Sequence, residues 1–191
     1  MITPASVVLD GQPIAVTQTG DKMLVELYRR FVGDYPKFFK MDTLCRLGFL
    51  AAELLLKQTT NGESLTTNDK RPTTNDKRPT AIILANHSAS IKNDTDYLAT
   101  ISEGNYYPSP ALFVYTLPNI VTGEIAIRHH IQGETSFYIL DDPEQLEPII
   151  RSTLNAQRST LNAQPSTLLA GWCECRTAHD FYAKLQLIWN N

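Results

Sequence analysis

The stretch FFKMDTLCRLGFLAAELLLKQ, residues 38 to 58, constrains the fold more than any other part of the chain. Leu44, Leu47, Leu50, Ala51, Leu54 and Leu55 recur at helical spacing, and the apolar positions extend past one narrow stripe. A helix of this kind must be buried on much of its circumference, which requires a sheet beside it. Membrane-surface binding would instead require a richer basic polar face. Asp42 near its start and Lys57 near its end suit an N-cap and the helix dipole. Upstream, MLVELYRRFVG sets Leu24, Leu27, Tyr28 and Phe31 on one face of a second helix.

Candidate strands surround these helices. ASVVLDGQPI is an apolar run that meets an Asp-Gly turn signal, most simply a short hairpin. Ala81 to Ala85 form a short apolar run that suits a buried strand, although periodicity alone does not separate it from a piece of helix. A short helix is expected in NDTDYLATISEGNYY, followed by a turn over residues 107 to 110 and an apolar stretch that ends at Pro118. IVTGEIAIRHH resumes helical spacing, and its small residues, Gly123 among them, predict close packing against another element. TSFYIL reads as a strand, and LLAGWCE as another, followed by a turn and a final strand or short helix. In that late strand Cys173 and Cys175 share one side, with Glu174 opposite.

Length and composition bound the remaining possibilities. The 191 residues make one domain, 1 to 191, and 42% apolar with 19% charged residues describes a globular chain. A net charge of -3 with dispersed basic residues gives no reason to expect nucleic acid. Three cysteines, Cys45, Cys173 and Cys175, are too few for a disulfide scaffold and wrongly spaced for a zinc site, so a reducing, cytoplasmic location is expected. Neither a leader sequence nor a membrane span is indicated. TTNDKRP occurs twice in tandem over 66 to 79, and RSTLNAQ twice over 151 to 164. These duplications predict exposed loops at 60 to 80 and 151 to 166, since added loop length costs little closure entropy. Two copies are too few for a coiled coil, and Pro72 and Pro79 would break a helix.

Candidate chemistry is sparse. His87 follows the 81 to 85 run, where a histidine is either catalytic or a hydrogen-bonded loop residue. Asp141 and Asp142, with Glu144 and Glu147 beyond them, follow TSFYIL; they could serve acid and base chemistry or lead into a helix with acids in its first turn. The adjacent His129 and His130 point about 100° apart on a helix and do not predict a metal site. No cofactor is expected, and no nucleophile elbow, phosphate loop, HExxH sequence or calcium loop is present.

Several collinear blocks carry a resemblance. SPALFVYTLPNIVTGEIAIRHHIQGETSFYIL, with KMDTLCRLGFLAAELLL and AIILANHSAS ahead of it, resembles the N-terminal half of a β-ketoacyl synthase (3-oxoacyl-[acyl-carrier-protein] synthase). The matching positions include Met41 and Asp42 before a helix, the strand around Ile82 to Leu84, and Ser109, Pro110, Asn119 and Gly123. Further matches are the turn at Gly133 and the late LLAGWCE strand. Glu134 stands for the customary proline and Trp172 for a second glycine. The resemblance implies an α/β, thiolase-like fold, a mixed sheet with packed helices, and dimers.

It also implies a nucleophilic cysteine at or near Asp142, yet no cysteine lies between Cys45 and Cys173. An aspartate cannot replace it, because an aspartyl anhydride would be far more reactive than the thioester it stands for. The family's second half, with two assisting histidines, is not in this sequence.

The expected function is therefore that of a non-condensing partner or scaffold subunit in fatty acid, aryl polyene or polyketide biosynthesis. It would pair with a full-length ketosynthase or with itself as a dimer, and an acyl carrier protein is a further candidate partner. Phe113, Tyr115, Leu117 and Asn119 are the expected interface residues, from the apolar density of their stretch. The alternatives are a nonfunctional remnant, or an enzyme that uses Asp141, Asp142 and His87 on acyl-carrier thioesters.

Overall fold

The structure, a computed structural model, describes residues 1–59, 79–104, 107–160 and 166–190. Seven strands form one mixed sheet: β1 (Ile2–Thr3), β2 (Ser6–Leu9), β3 (Gln12–Ile14), β4 (Ala81–Asn86), β5 (Thr135–Ile139), β6 (Ser166–Thr177) and β7 (Asp180–Asn190). Their order is β3-β2-β1-β7-β6-β4-β5. β4 lies parallel to both β5 and β6, while the remaining neighbours are antiparallel. Asp10 and Gly11 both have positive φ, 50° and 74°, as the two-residue turn of a twisted hairpin requires. The final segment is a strand paired with β6 along nearly its whole length.

The helices are α1 (Gly20–Phe31), α2 (Thr43–Thr59), α3 (Ile91–Leu98), α4 (Pro110–Val114), α5 (Ile120–His129) and α6 (Leu146–Thr160). α2 begins where Asp42 Oδ1 accepts from the Cys45 amide at 2.9 Å. It is buried around most of its girth, with Leu47, Phe49, Leu50 and Leu56 fully enclosed. α1, α2 and α5 cover one face of the sheet and share a core with Ile82, Leu84, Leu169, Cys173 and Ala183. α6 covers part of the other face, where Leu146 and Ile150 meet Ala81, Ile83, Ala85, Leu168, Ala170 and Trp172. β4 therefore has helices on both sides, which explains an uninterrupted apolar run instead of an alternating one.

Two expectations are corrected. Residues 151–160 belong to α6, so the segment expected to be a loop at 151–166 is helical over that range. Leu146, Ile150 and Thr153 are buried at helical spacing, and Glu147 pairs with Arg151 one turn on, which gives the first RSTLNAQ copy a packed side. The second correction concerns close packing on α5. Gly123 faces open space, whereas the tight approach is at Gly48 of α2, where a Cβ would lie 2.4 Å from Val121 Cγ2 and 3.3 Å from Cys173 Sγ. Most of the loop expected at 60–80 lies outside the described residues. Among the described residues no helix is long and apolar enough to cross a membrane.

Candidate functional site

Two regions hold the residues singled out from the sequence. The first lies where the parallel strands β5, β4 and β6 end, the edge at which open α/β sheets usually bind ligands. After β4, the loop from Asn86 to Ser90 is braced by buried polar groups. Asn86 accepts from the Ala89 amide at 2.9 Å and donates from Nδ2 to the Ala89 carbonyl at 2.8 Å, and Ala89 takes a left-handed conformation with φ of 49°. The buried Glu174 carboxylate accepts from the amides of His87 at 2.9 Å and Ser88 at 3.3 Å. Ser90 Oγ donates to the Thr116 carbonyl at 2.6 Å. The result is an exposed His87 on a fixed loop.

His87 and Asp141 line one open cleft of about 440 Å³, with Trp172, Arg176, Asp180 and Tyr182 among its other walls. Asp142 does not line it. Its Oδ1 accepts from the amides of Glu144 at 2.9 Å and Gln145 at 3.3 Å, so it caps the turn that leads into α6. The acids after TSFYIL thus begin a helix, and the two aspartates have separate roles. Sequence reasoning missed Glu174, Arg176 and Asp180; the alternation that set Glu174 opposite Cys173 and Cys175 was the available signal. Glu174 is occupied by amides, and Arg176 lies 3.6 Å from Asp180, which leaves His87 and Asp141 as the candidate reactive groups.

None of the three cysteines could serve this cleft. All are free and buried, and burial pushes the Cys45 and Cys173 thiols well above their ordinary range and Cys175 in the same direction. Among the described residues no group of three potential ligands could hold a metal ion. His129 and His130 indeed diverge. His129 is buried with Nε2 2.8 Å from Glu53 Oε1, an ion-pair distance without hydrogen-bond alignment, while His130 is exposed and ends α5 in a left-handed conformation.

The second region is the surface of α3, α4 and the turn into α5. Ser109 caps α4 by accepting from the Leu112 amide, and Pro110 opens its first turn. α4 is tied to α3 through backbone carbonyls: Asn93 Nδ2 donates to Leu112 O at 2.7 Å, and Ser90 reaches Thr116. Because polar bonds hold this segment down, its apolar side chains point away. Phe113 is 56% exposed, Leu117 54% and Tyr107 89%. Asn119 is exposed as well, but Tyr115 is half-buried against the core, where burial foremost pushes its phenol up to about 12. Leu98, Ile101 and Ile127 extend the exposed apolar surface beyond the residues expected from sequence.

From Tyr107 to Ile127 the chain carries one charged residue, Glu124, and it is 5% exposed. Glu124 pairs with Lys37 and accepts from Tyr35 Oη at 3.0 Å. One turn further, Arg128 contacts Asp34 at 2.7 Å and Glu53 at 3.1 Å. Burial works to raise the Glu53 carboxyl, but His129 and Arg128 overcome it and hold the group below its usual range. The inner face of α5 is therefore locked by charge, and its outer face bears none.

No protein-family profile matches the chain, and no curated protein sequence does. Solved structures do. One is the ishigamide ketosynthase/chain length factor, with a TM-score of 0.53 and 21% identity over 79% of this chain and 39% of that one. Another is the ketosynthase ApeO in complex with its chain length factor ApeC from Xenorhabdus doucetiae, with a TM-score of 0.50 and 12% identity over 97% of this chain and 68% of that one. The chain thus spans well under half of the first and about two thirds of the second. The mixed seven-stranded sheet with its packed helices is the thiolase-like fold of ketosynthases and chain length factors.

Proposed function

We propose that the chain is a non-condensing subunit that pairs with a ketosynthase in fatty acid, polyketide or aryl polyene assembly. One observation carries this reading: the exposed apolar surface of α4 and the turn into α5, a stretch without charge from Tyr107 to Gly123. Charge depletion with aromatic side chains marks the centre of protein interfaces. Support comes also from the neighbours, which are ketosynthases joined to chain length factors, and from the buried state of every cysteine. An acyl carrier protein that delivers chains to the pair is the further partner, and three free cysteines fit a reducing, cytoplasmic compartment.

Purification of the tagged chain from its native cells, with mass spectrometry and light scattering, tests the proposal. A full-length ketosynthase should co-purify in stoichiometric amount, and Phe113→Glu should abolish that association while leaving the fold intact. Unchanged association in Phe113→Glu refutes the interface.

One observation favours a second reading, an enzyme acting on acyl-carrier thioesters: the cleft that gathers His87 and Asp141. Thioester turnover that disappears in His87→Ala and Asp141→Asn would establish it, and the absence of turnover in the parent protein would end it.

A further inference from the structure

Among the described residues, three buried side-chain oxygens have no donor: Asp42 Oδ2, Asp21 Oδ1 and Asn93 Oδ1. Two cations stand beside Asp42 and pull its carboxyl down against the effect of burial. Arg46 is committed elsewhere, since it donates to the carbonyls of Phe38 at 3.2 Å and Phe39 at 3.0 Å and to Asp21 at 3.4 Å. Lys92 of α3 is paired with Asp96 one turn along its own helix, with both ends of the pair partly in solvent. Such a surface pair contributes little and is readily given up. A charged carboxylate with a buried, unpartnered oxygen is costly, so ionisation of Asp42 favours bringing Lys92 to it.

α3 also holds the exposed apolar surface in place. Asn93, next to Lys92, donates to Leu112 O at 2.7 Å, and Ser90 at the helix N-cap donates to Thr116 O at 2.6 Å. The Tyr97 ring of α3 lies 5.6 Å from that of Phe113 on α4, tilted by 54°. Any displacement of α3 therefore reaches α4 and the turn after it.

The other groups that face Asp42 hold their charge state. They are Arg46 and Cys45 of α2, Cys173 and Cys175 of β6, and Tyr115 of the turn after α4, while Asp21 of α1 is reached through Arg46. Glu124 of α5 and Glu174 of β6 act on the same thiols. Burial foremost pushes the three thiols upward and the Tyr115 phenol to about 12, so these groups stay neutral between about pH 4 and 8.

We infer that Lys92 exchanges Asp96 for Asp42 when Asp42 ionises, and that α3 carries this exchange to the surface around Phe113 as a pH-sensitive switch. The exchange itself is independent of any partner. Its effect on association rests on the ketosynthase reading above.

Nuclear magnetic resonance of the full chain from about pH 4 to 8 tests the inference, with the Asp42 carboxyl carbon and the Phe113 ring as reporters. Both should titrate together, and the Phe113 response should vanish in Asp42→Asn. Lys92→Met removes the incoming partner and should move the Asp42 midpoint upward by at least about 0.5 pH unit, whereas Asp96→Asn frees Lys92 and should move it downward. Three results overturn the inference: a Phe113 ring that does not follow Asp42, an Asp42 midpoint unchanged in both Lys92→Met and Asp96→Asn, and a Phe113 titration that persists in Asp42→Asn but disappears in His87→Gln, which assigns it to the loop before α3. Ketosynthase capture that ignores pH while Phe113 titrates would refute the interface and leave the exchange standing.

Discussion

The two faces of the sheet are stabilised by different means. On the α2 side, three helices bury a continuous core, and charges are taken inside and paired: Glu53 with Arg128, beside His129, and Glu124 with Lys37. On the α6 side a single helix covers β4 and β6, its outer positions are polar, and its ion pair, Glu147 with Arg151, lies in solvent. Burying charge is costly unless every partner is kept, so the α2 side has little freedom to vary and the α6 side has much more. The duplicated RSTLNAQ begins within α6, on the permissive side.

Four variants probe this contrast. Glu53→Ala removes the carboxylate beside the buried His129, leaves Arg128 with Asp34 alone, and should cost about 3–5 kcal/mol in urea denaturation. Ile150→Ala, in the smaller core under α6, should cost about 2–3 kcal/mol, and a loss equal to that of Glu53→Ala would erase the distinction between the faces.

Asp42 sharpens the contrast through pH. Burial pushes its carboxyl up to about 6, and Oδ2 is buried without a partner. The folded state therefore binds this proton more readily than the unfolded state, whose group keeps the ordinary value of 3.8. Its contribution to stability is present below that value and is lost as pH rises through 6. Asp42→Asn keeps a capping oxygen and removes the loss. The variant should exceed the parent by roughly 1–3 kcal/mol at pH 7.5, with the gain vanishing near pH 4. A gain that does not change with pH would assign it to packing instead. Arg151→Ala, at the exposed pair, should change stability by less than about 0.5 kcal/mol.

Much of the architecture was legible because local signals agreed with one another. The Asp-Gly turn, the thick apolar helix begun by Asp42, the AIILAN strand and the Cys-Glu-Cys alternation all have one local cause, and each is found as expected. The helical state of 151–160 was obscured because an exact tandem copy draws attention to length and away from the apolar spacing of Leu146, Ile150 and Thr153. The cleft was half legible. His87 and Asp141 stand beside strands and could be named, but Arg176 and Asp180 reach it across a hairpin whose register the sequence does not print. Glu174 was visible as a side of a strand and not as the brace of a loop 87 residues earlier. The surface around Phe113 was recognisable from apolar density, although Tyr115 turns inward because the turn after α4 returns it to the core.

Gly48 has a consequence for how variants of this protein are to be screened. The spacing between α2 and α5 is set there by an atom that is missing, since any Cβ would collide with Val121. α5 bears Glu124, Arg128 and His129 on one side and Ile127 on the other, so moving it disturbs the ionic latches and the exposed surface together. A survey scored only on partner capture would therefore rank Gly48 with the contact residues, though it touches no partner and offers no functional group. Scoring solubility and capture side by side separates the gauge that sets the helix from the surface that the helix displays.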